Sequence, residues 1–272
     1  MQAYAATVLI DLAINPFDAS VPDMMSLARA AESNDAGCIW VADHFSGAVV
    51  GRSWSRDPFV CLGAIAAVTE QIEVGVLVAN VVNRHPAQLA SAVNSLQSIA
   101  AGRVRLGVGS GAAPGSRFAV EHEAIGTVLG DAAARRRRLV DTISSLRAIW
   151  NDADGDGDDV GSQRSAAVVD SSPCPPIVVG ASAWPTVEIA LEVADGVNVR
   201  RTGALDELLG RIGRERPVDF EVSVLDSLDD VADAPARIER YEGLGVDRLI
   251  LGISPPHDVA RLDRVDLRRH RA

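Results

Sequence analysis

An α/β barrel of eight units is the fold that this 272-residue sequence predicts, on three observations. Val-, Ile- and Leu-rich runs of strand length recur eight times along the chain. Helix-length amphipathic stretches separate them. The runs lack strict polar alternation, as expected of parallel strands covered on both faces. Eight βα units in one chain of this length fit a TIM (β/α)8 barrel, one domain over 1–272, with its active site at the C-terminal strand ends. A doubly wound open sheet is the alternative, and it loses because no G-x-G-x-x-G follows the first strand.

Taken in order, the predicted strands are "TVLIDLA" (7–13), "CIWVA" (38–42), "IEVGVLVA" (72–79) and "RVRLGVG" (103–109). They continue as "PIVVG" (176–180), "GVNV" (196–199), "VDFEVSVL" (218–225) and "DRLILGI" (247–253). Helical periodicity is clearest over 22–35, 87–100, 136–150 and 231–243. "RRRR" (135–138) opens one of these helices and reads as a solvated face rather than an anion site. The stretch 151–176 is the one long irregular segment. Its Asp152-x-Asp154-x-Asp156-Gly157 start imitates a calcium loop. The twelfth position, where such a loop needs a bidentate Glu, is Gln163, so a surface loop is the reading and no metal site is expected.

Composition narrows the function classes. Hydrophobic residues at 47% and charged residues at 23% are ordinary for a folded soluble enzyme. A formal charge of −11 repels polyanions, which argues against a nucleic-acid partner. All 26 basic residues are arginine, a bias that fits a GC-rich genome; any grip on an anion must then come from arginine. Cys38, Cys61 and Cys174 have no C-x-x-C spacing and read as free thiols in a reducing compartment. The first residues lack a basic signal-peptide start, and no run of 18 apolar residues offers a membrane span. A cytoplasmic location is the expectation.

On a barrel, the residues that follow each strand are the ones placed to do chemistry. Asp43, His44 and Phe45 follow the second strand, an odd place for two titratable groups unless a site lies there. Asn80 follows the third, then "NRHPA"; His85, ahead of Pro86 at a helix start, reads as structural. "GVGSGAAPG" (107–115) follows the fourth strand and "GASAWPT" (180–186) the fifth. Small residues there permit close backbone approach, and the Ser182–Thr186 turn runs straight into a helix whose amides could hold a phosphate.

The runs "WVADHF", "DPFVCLGAIAAVTEQIEVGVLVANVVNRHPAQLASAVNSLQSIAAGRVRLGVGSG" and "PPIVVGASAWPTVEIALEVADGVNV" together resemble the luciferase-like monooxygenase superfamily, most closely its F420-dependent branch. The resemblance covers about residues 1–199 and weakens beyond. It implies a barrel that binds the deazaflavin F420, or alternatively FMN, at the C-terminal strand ends. Asp43 would hydrogen-bond the pyrimidine end of the ring, and His44 would be the catalytic proton donor or transition-state stabiliser. Leu77-Val78 falls where family members often have a non-prolyl cis peptide backing the ring, with Ala79 and Asn80 lining it. Ser110 and Gly111 match the loop near the cofactor's side chain; Ser182, Ala183, Pro185 and Thr186 match its phosphate-binding turn.

The activity so implied is an F420-dependent oxidoreductase moving hydride between the deazaflavin and a small organic substrate, in a homodimer. An FMN-dependent monooxygenase is the enzymatic alternative, and a non-catalytic cofactor-binding paralogue the other. Ala112 stands where some sugar-phosphate dehydrogenases of the family carry a catalytic Glu. Insertions in the C-terminal half are short. Arg200 and Arg201, just past the sixth strand, are the best-placed cations for an anionic tail.

Overall fold

The computed structural model describes residues 8–17, 19–154, 168–170, 172–227 and 234–253. Eight parallel strands close on themselves in sequence order, each hydrogen-bonded to the next and the last to the first. They are β1 (Leu9–Ile14), β2 (Cys38–Val41), β3 (Glu73–Asn80), β4 (Val104–Gly109), β5 (Ile177–Ala181), β6 (Gly196–Arg200), β7 (Glu221–Ser227) and β8 (Arg248–Ile253). The helices are α1 (Val21–Ser33), α2 (Pro58–Ala66), α3 (Pro86–Ala100), α4 (Val120–Ala124), α5 (Ala132–Asp154), α6 (Trp184–Val193), α7 (Leu205–Glu215) and α8 (Ala234–Gly243).

Local chemistry sets the helix starts. Ser20 and Asp23 form a capping box ahead of α1, and Asp57 caps α2 by accepting from Phe59 and Val60 amides. His85 caps α3, its Nδ1 accepting from the Ala87 amide at 3.2 Å, which is the structural role expected of it. Helix α5 departs from expectation: it begins at Ala132, a turn before the arginine run, and continues through Asp154. The first acids of the calcium-like run are therefore helical, and the rest of that run lies outside the described residues.

Strand alternation divides the interior into two cores. One set of side chains, including Leu12, Ile39, Val74, Leu106, Val179, Val197, Val224 and Leu251, packs outward against the helices. The other set points into the barrel, where Trp40, Cys38 and Ile250 form the centre with Ala13, Leu77 and Leu225 against them. Gly75 is glycine because the Trp40 ring crosses the barrel beside it; a Cβ there would come within 2.6 Å of the indole. Below that layer, at the strand starts, Arg105 and Arg248 are bound to Asp11, Glu73 and Glu221. Charges at this depth persist only when paired. With the lower end closed by side chains, the open end for a ligand is the upper one.

Candidate active site

A cavity of about 410 Å³ opens at the C-terminal ends of the strands, within the size range of small-molecule and cofactor sites. Its wall on the β3 side is apolar, made by Leu77 and Val78, and Leu225 faces it from β7. The Leu77–Val78 peptide bond is cis, and the β3–β4 register shifts between Val76 and Ala79. Glycines make room for Val78: a Cβ on Gly109 would lie 2.5 Å from its side chain, and one on Gly180 would lie 2.9 Å away. Glycines near the ends of β4 and β5 thus serve to seat Val78.

The two titratable groups after β2 have separate partners. Asp43 Oδ2 accepts from the Asn80 amide (3.0 Å) and from Arg84 Nε (3.1 Å), while Oδ1 accepts from Arg84 Nη2 (2.9 Å). Arg84 also donates to Asp57 Oδ2 at 2.8 Å. Burial works against the Arg84 charge, but these two carboxylates more than compensate and raise its pKa above the ordinary arginine value. Asp43 therefore borders the cavity with a carboxylate already occupied in tying β2 to the end of β3.

His44 turns the other way. Its Nδ1 lies 3.0 Å from Glu121 Oε1, and Glu121 Oε2 accepts from the Phe45 amide at 2.9 Å. A carboxylate only accepts, so Nδ1 carries the hydrogen and Nε2 is the nitrogen left for a ligand. Glu121 is only 3% exposed. Burial pushes its carboxyl upward, yet the His44 contact and the Phe45 and Ser46 amides outweigh it and hold the pKa below the usual glutamate value. The rings of Phe17 and Phe118 flank the imidazole at 5.5 and 6.4 Å between centroids.

The contacts of His122 make it a neutral ring. Asn80 Oδ1 accepts from the Val82 amide, so the Asn80 Nδ2 end faces His122 Nε2 at 3.0 Å. That nitrogen must accept, which leaves the hydrogen on Nδ1, a buried atom without a protein partner among the described residues. Burial first, then the nearby His44, lower its pKa against the pull of Glu121. Deeper in the cavity Asn198 donates to Ser223 Oγ at 3.0 Å.

Of the residues marked in the sequence, Asp43, His44, Leu77, Val78, Asn80, Ser110, Gly111, Ser182 and Thr186 line the cavity together with Ala112 and Arg200. Ala79, Ala183 and Pro185 do not: Ala79 packs in the outer core, Ala183 is the N-cap residue of α6, and Pro185 is in the first turn of that helix. Ala183 has no side chain to cap α6, and its carbonyl accepts from Thr186 and Val187 amides. Arg201 pairs with Asp226 at 2.8 Å, whereas Arg200 faces the cavity. The sequence reading missed Glu121, His122, Phe118 and Asn198. The run "RFAVEHEA" offered a signal for three of them, since titratable residues recur there beside apolar ones just past a glycine-rich loop.

The sequence matches the luciferase-like monooxygenase family over residues 8–209. The chain belongs to that family. Among curated relatives it is 29% identical over 204 residues to the 5,10-methylenetetrahydromethanopterin reductase of Methanolobus tindarius, covering 72% of this chain and 52% of the relative. It is 30% identical over 178 residues to the F420-dependent glucose-6-phosphate dehydrogenase of Beutenbergia cavernae, covering 64% and 51%. The chain thus spans about half the length of these two relatives. A solved structure, an F420-dependent secondary alcohol dehydrogenase in complex with an F420–acetone adduct, superposes with a TM-score of 0.74. It is 16% identical and the match covers 96% of this chain and 97% of that one. A riboflavin lyase structure with modified FMN shares the fold at a TM-score of 0.74 and 13% identity, over 96% and 90% of the chains.

Proposed function

We propose that this protein is an F420-dependent oxidoreductase acting on a small organic substrate. The observation that carries the reading is an imidazole, braced by a buried carboxylate, at the edge of a cavity with one apolar wall. The residues fit a flat tricyclic ring. Leu77 and Val78 offer it a face, while Ser110 and Asn80 offer polar edges. Relatives named as F420-dependent support the choice of cofactor.

Each residue then has a task. A deazaflavin bound there would supply or accept a hydride. Ser182, Thr186 and the uncapped start of α6 would hold its phosphate, with Ala183 and Pro185 shaping that turn. Gly111, at φ +78°, lets the loop after β4 pass close to Asn80 and Val82. Asp43 keeps Asn80 and Arg84 in place, and Ala79 anchors β3 behind Val78. His44, its Nδ1–H given to Glu121, presents Nε2, which in the imidazolium form gives a proton to a substrate oxygen as hydride arrives at the adjacent carbon and in the neutral form takes it in the reverse direction. We further read the chain as one barrel domain that works in the cytoplasm as a homodimer.

Fluorescence titration of the purified protein with F420 and, separately, with FMN tests the assignment. Saturable quenching by F420 is expected. Micromolar binding of FMN with no response to F420 would overturn it in favour of an FMN-dependent monooxygenase.

A further inference from the structure

The charges around the cavity do not balance. Two carboxylates line it, and both are engaged: Asp43 by Arg84 and the Asn80 amide, Glu121 by His44 and the Phe45 amide. What remains is Arg200, which lines the cavity and makes no ion pair among the described residues, although its neighbour Arg201 is held by Asp226. A second guanidinium converges on the same place. Arg117 lies 4.6 Å from the centroid of the Phe118 ring and Arg200 lies 5.6 Å from it, so one aromatic ring gathers two cations. Arg117 also has no carboxylate partner among the described residues. A chain of net charge −11 has acids enough to neutralise both, and places none here.

Like charges held together beside a cavity repel, and a bound anion relieves that repulsion. Arginine suits the task, because its planar fork donates two parallel hydrogen bonds to a carboxylate or phosphate. We propose that Arg117 and Arg200, set around Phe118, form a clamp at the cavity mouth for a phosphate or carboxylate group on a bound small molecule. The clamp rests on reading this cavity as the ligand site, and not on which reaction occurs in it. Two sources could bring the anion: the substrate, or the tail of the cofactor.

The test uses pyrophosphate as the probe, titrated calorimetrically into the full-length protein, with R117Q, R200Q and the control R137Q on the exposed side of α5. Melting temperatures check that each variant is folded, and R200K serves if R200Q is not. Wild type and R137Q are expected to bind saturably and more weakly as salt rises. R117Q and R200Q should each lose roughly 10-fold or more in affinity, as removing one charge-assisted contact does. Binding by the folded variants equal to wild type, or no saturable binding by wild type, overturns the clamp. A second arm compares F420 with the deazaflavin riboside that lacks the phosphate. Loss in the variants for F420 but not for the riboside assigns the anion to the cofactor. Unchanged F420 affinity with lost pyrophosphate binding assigns it to the substrate. If neither deazaflavin binds while pyrophosphate still depends on both arginines, the clamp stands and the proposed function falls.

Discussion

Glu121 decides which nitrogen of His44 meets the cavity, so the two side chains should act on the rate as a unit. Under the proposed function, His44→Ala is expected to slow single-turnover hydride transfer by about 10² to 10⁴ while leaving cofactor affinity nearly intact. Glu121→Gln should slow it by a smaller factor, and the double variant should be no slower than His44→Ala alone. Multiplying effects would show that Glu121 does not work through His44. Asp43 predicts another pattern. Its carboxylate braces Arg84 and the Asn80 amide, so Asp43→Ala should destabilise the fold by about 1–3 kcal/mol and weaken the cofactor as a consequence, measured by denaturant melts beside the titration. Unchanged stability with weakened binding would instead support a direct bond from Asp43 to the ring. His44 was legible from the sequence because two titratable groups end an apolar strand. Glu121 and His122 were not, because they sit on a five-residue helix too short to show periodicity, and meet β2 and β3 only across the loops.

The strands were the easiest elements to read, each predicted run overlapping the observed strand to within about three residues at either end, since strands buried on both faces are nearly pure apolar runs. What the runs concealed is the polar layer inside the barrel. Asp11 looks like an interruption in "TVLIDLA", yet it points inward and binds Arg248, 237 residues away, a meeting that exists only because β1 pairs with β8. Trp40 Nε1 also donates to it at 2.9 Å. Full burial pushes the Asp11 carboxyl up to about 6, against the opposing pull of Arg248. A group whose pKa is raised on folding stabilises the native state below its unfolded value, near 3.8, and loses that contribution as pH rises through about 6. Asp11→Asn retains an acceptor for Trp40 but cannot titrate. The stability difference between wild type and Asp11→Asn should therefore shift against wild type between about pH 4 and 6 and level off above. Urea midpoints across that range check it, and parallel curves for the two proteins would show that Asp11 does not titrate there.

At the scale of the whole molecule, one pair of exposed apolar side chains stands apart from the rest. Val128 and Val218 are solvent-facing in loops, whereas Val60 (73% exposed) and Ile99 (51%) lie on α2 and α3. Gly63, one turn on from Val60, sits against Ile99, so the two side chains belong to one continuous helical face. Soluble surfaces carry scattered apolar residues, but adjacent ones on packed helices suit an interface between copies. A two-fold interface built on this face would bring Val60 and Ile99 toward the same residues of a second copy. Two molecules of charge −11 repel over distances comparable to the screening length, so association should strengthen as salt rises from about 0.01 to 0.15 M. That is the opposite of the salt response expected for the arginine clamp, and the two can be read on the same preparation. Light scattering at tens of micromolar is expected to give a dimer for the wild type, and Val60→Glu should shift it toward monomer. The melting temperature of a single subunit should hardly move, because the Val60 side chain is exposed in the isolated barrel. A wild type that stays monomeric at every salt concentration rules out the homodimer, and a dimer indifferent to Val60→Glu places the contact on another face.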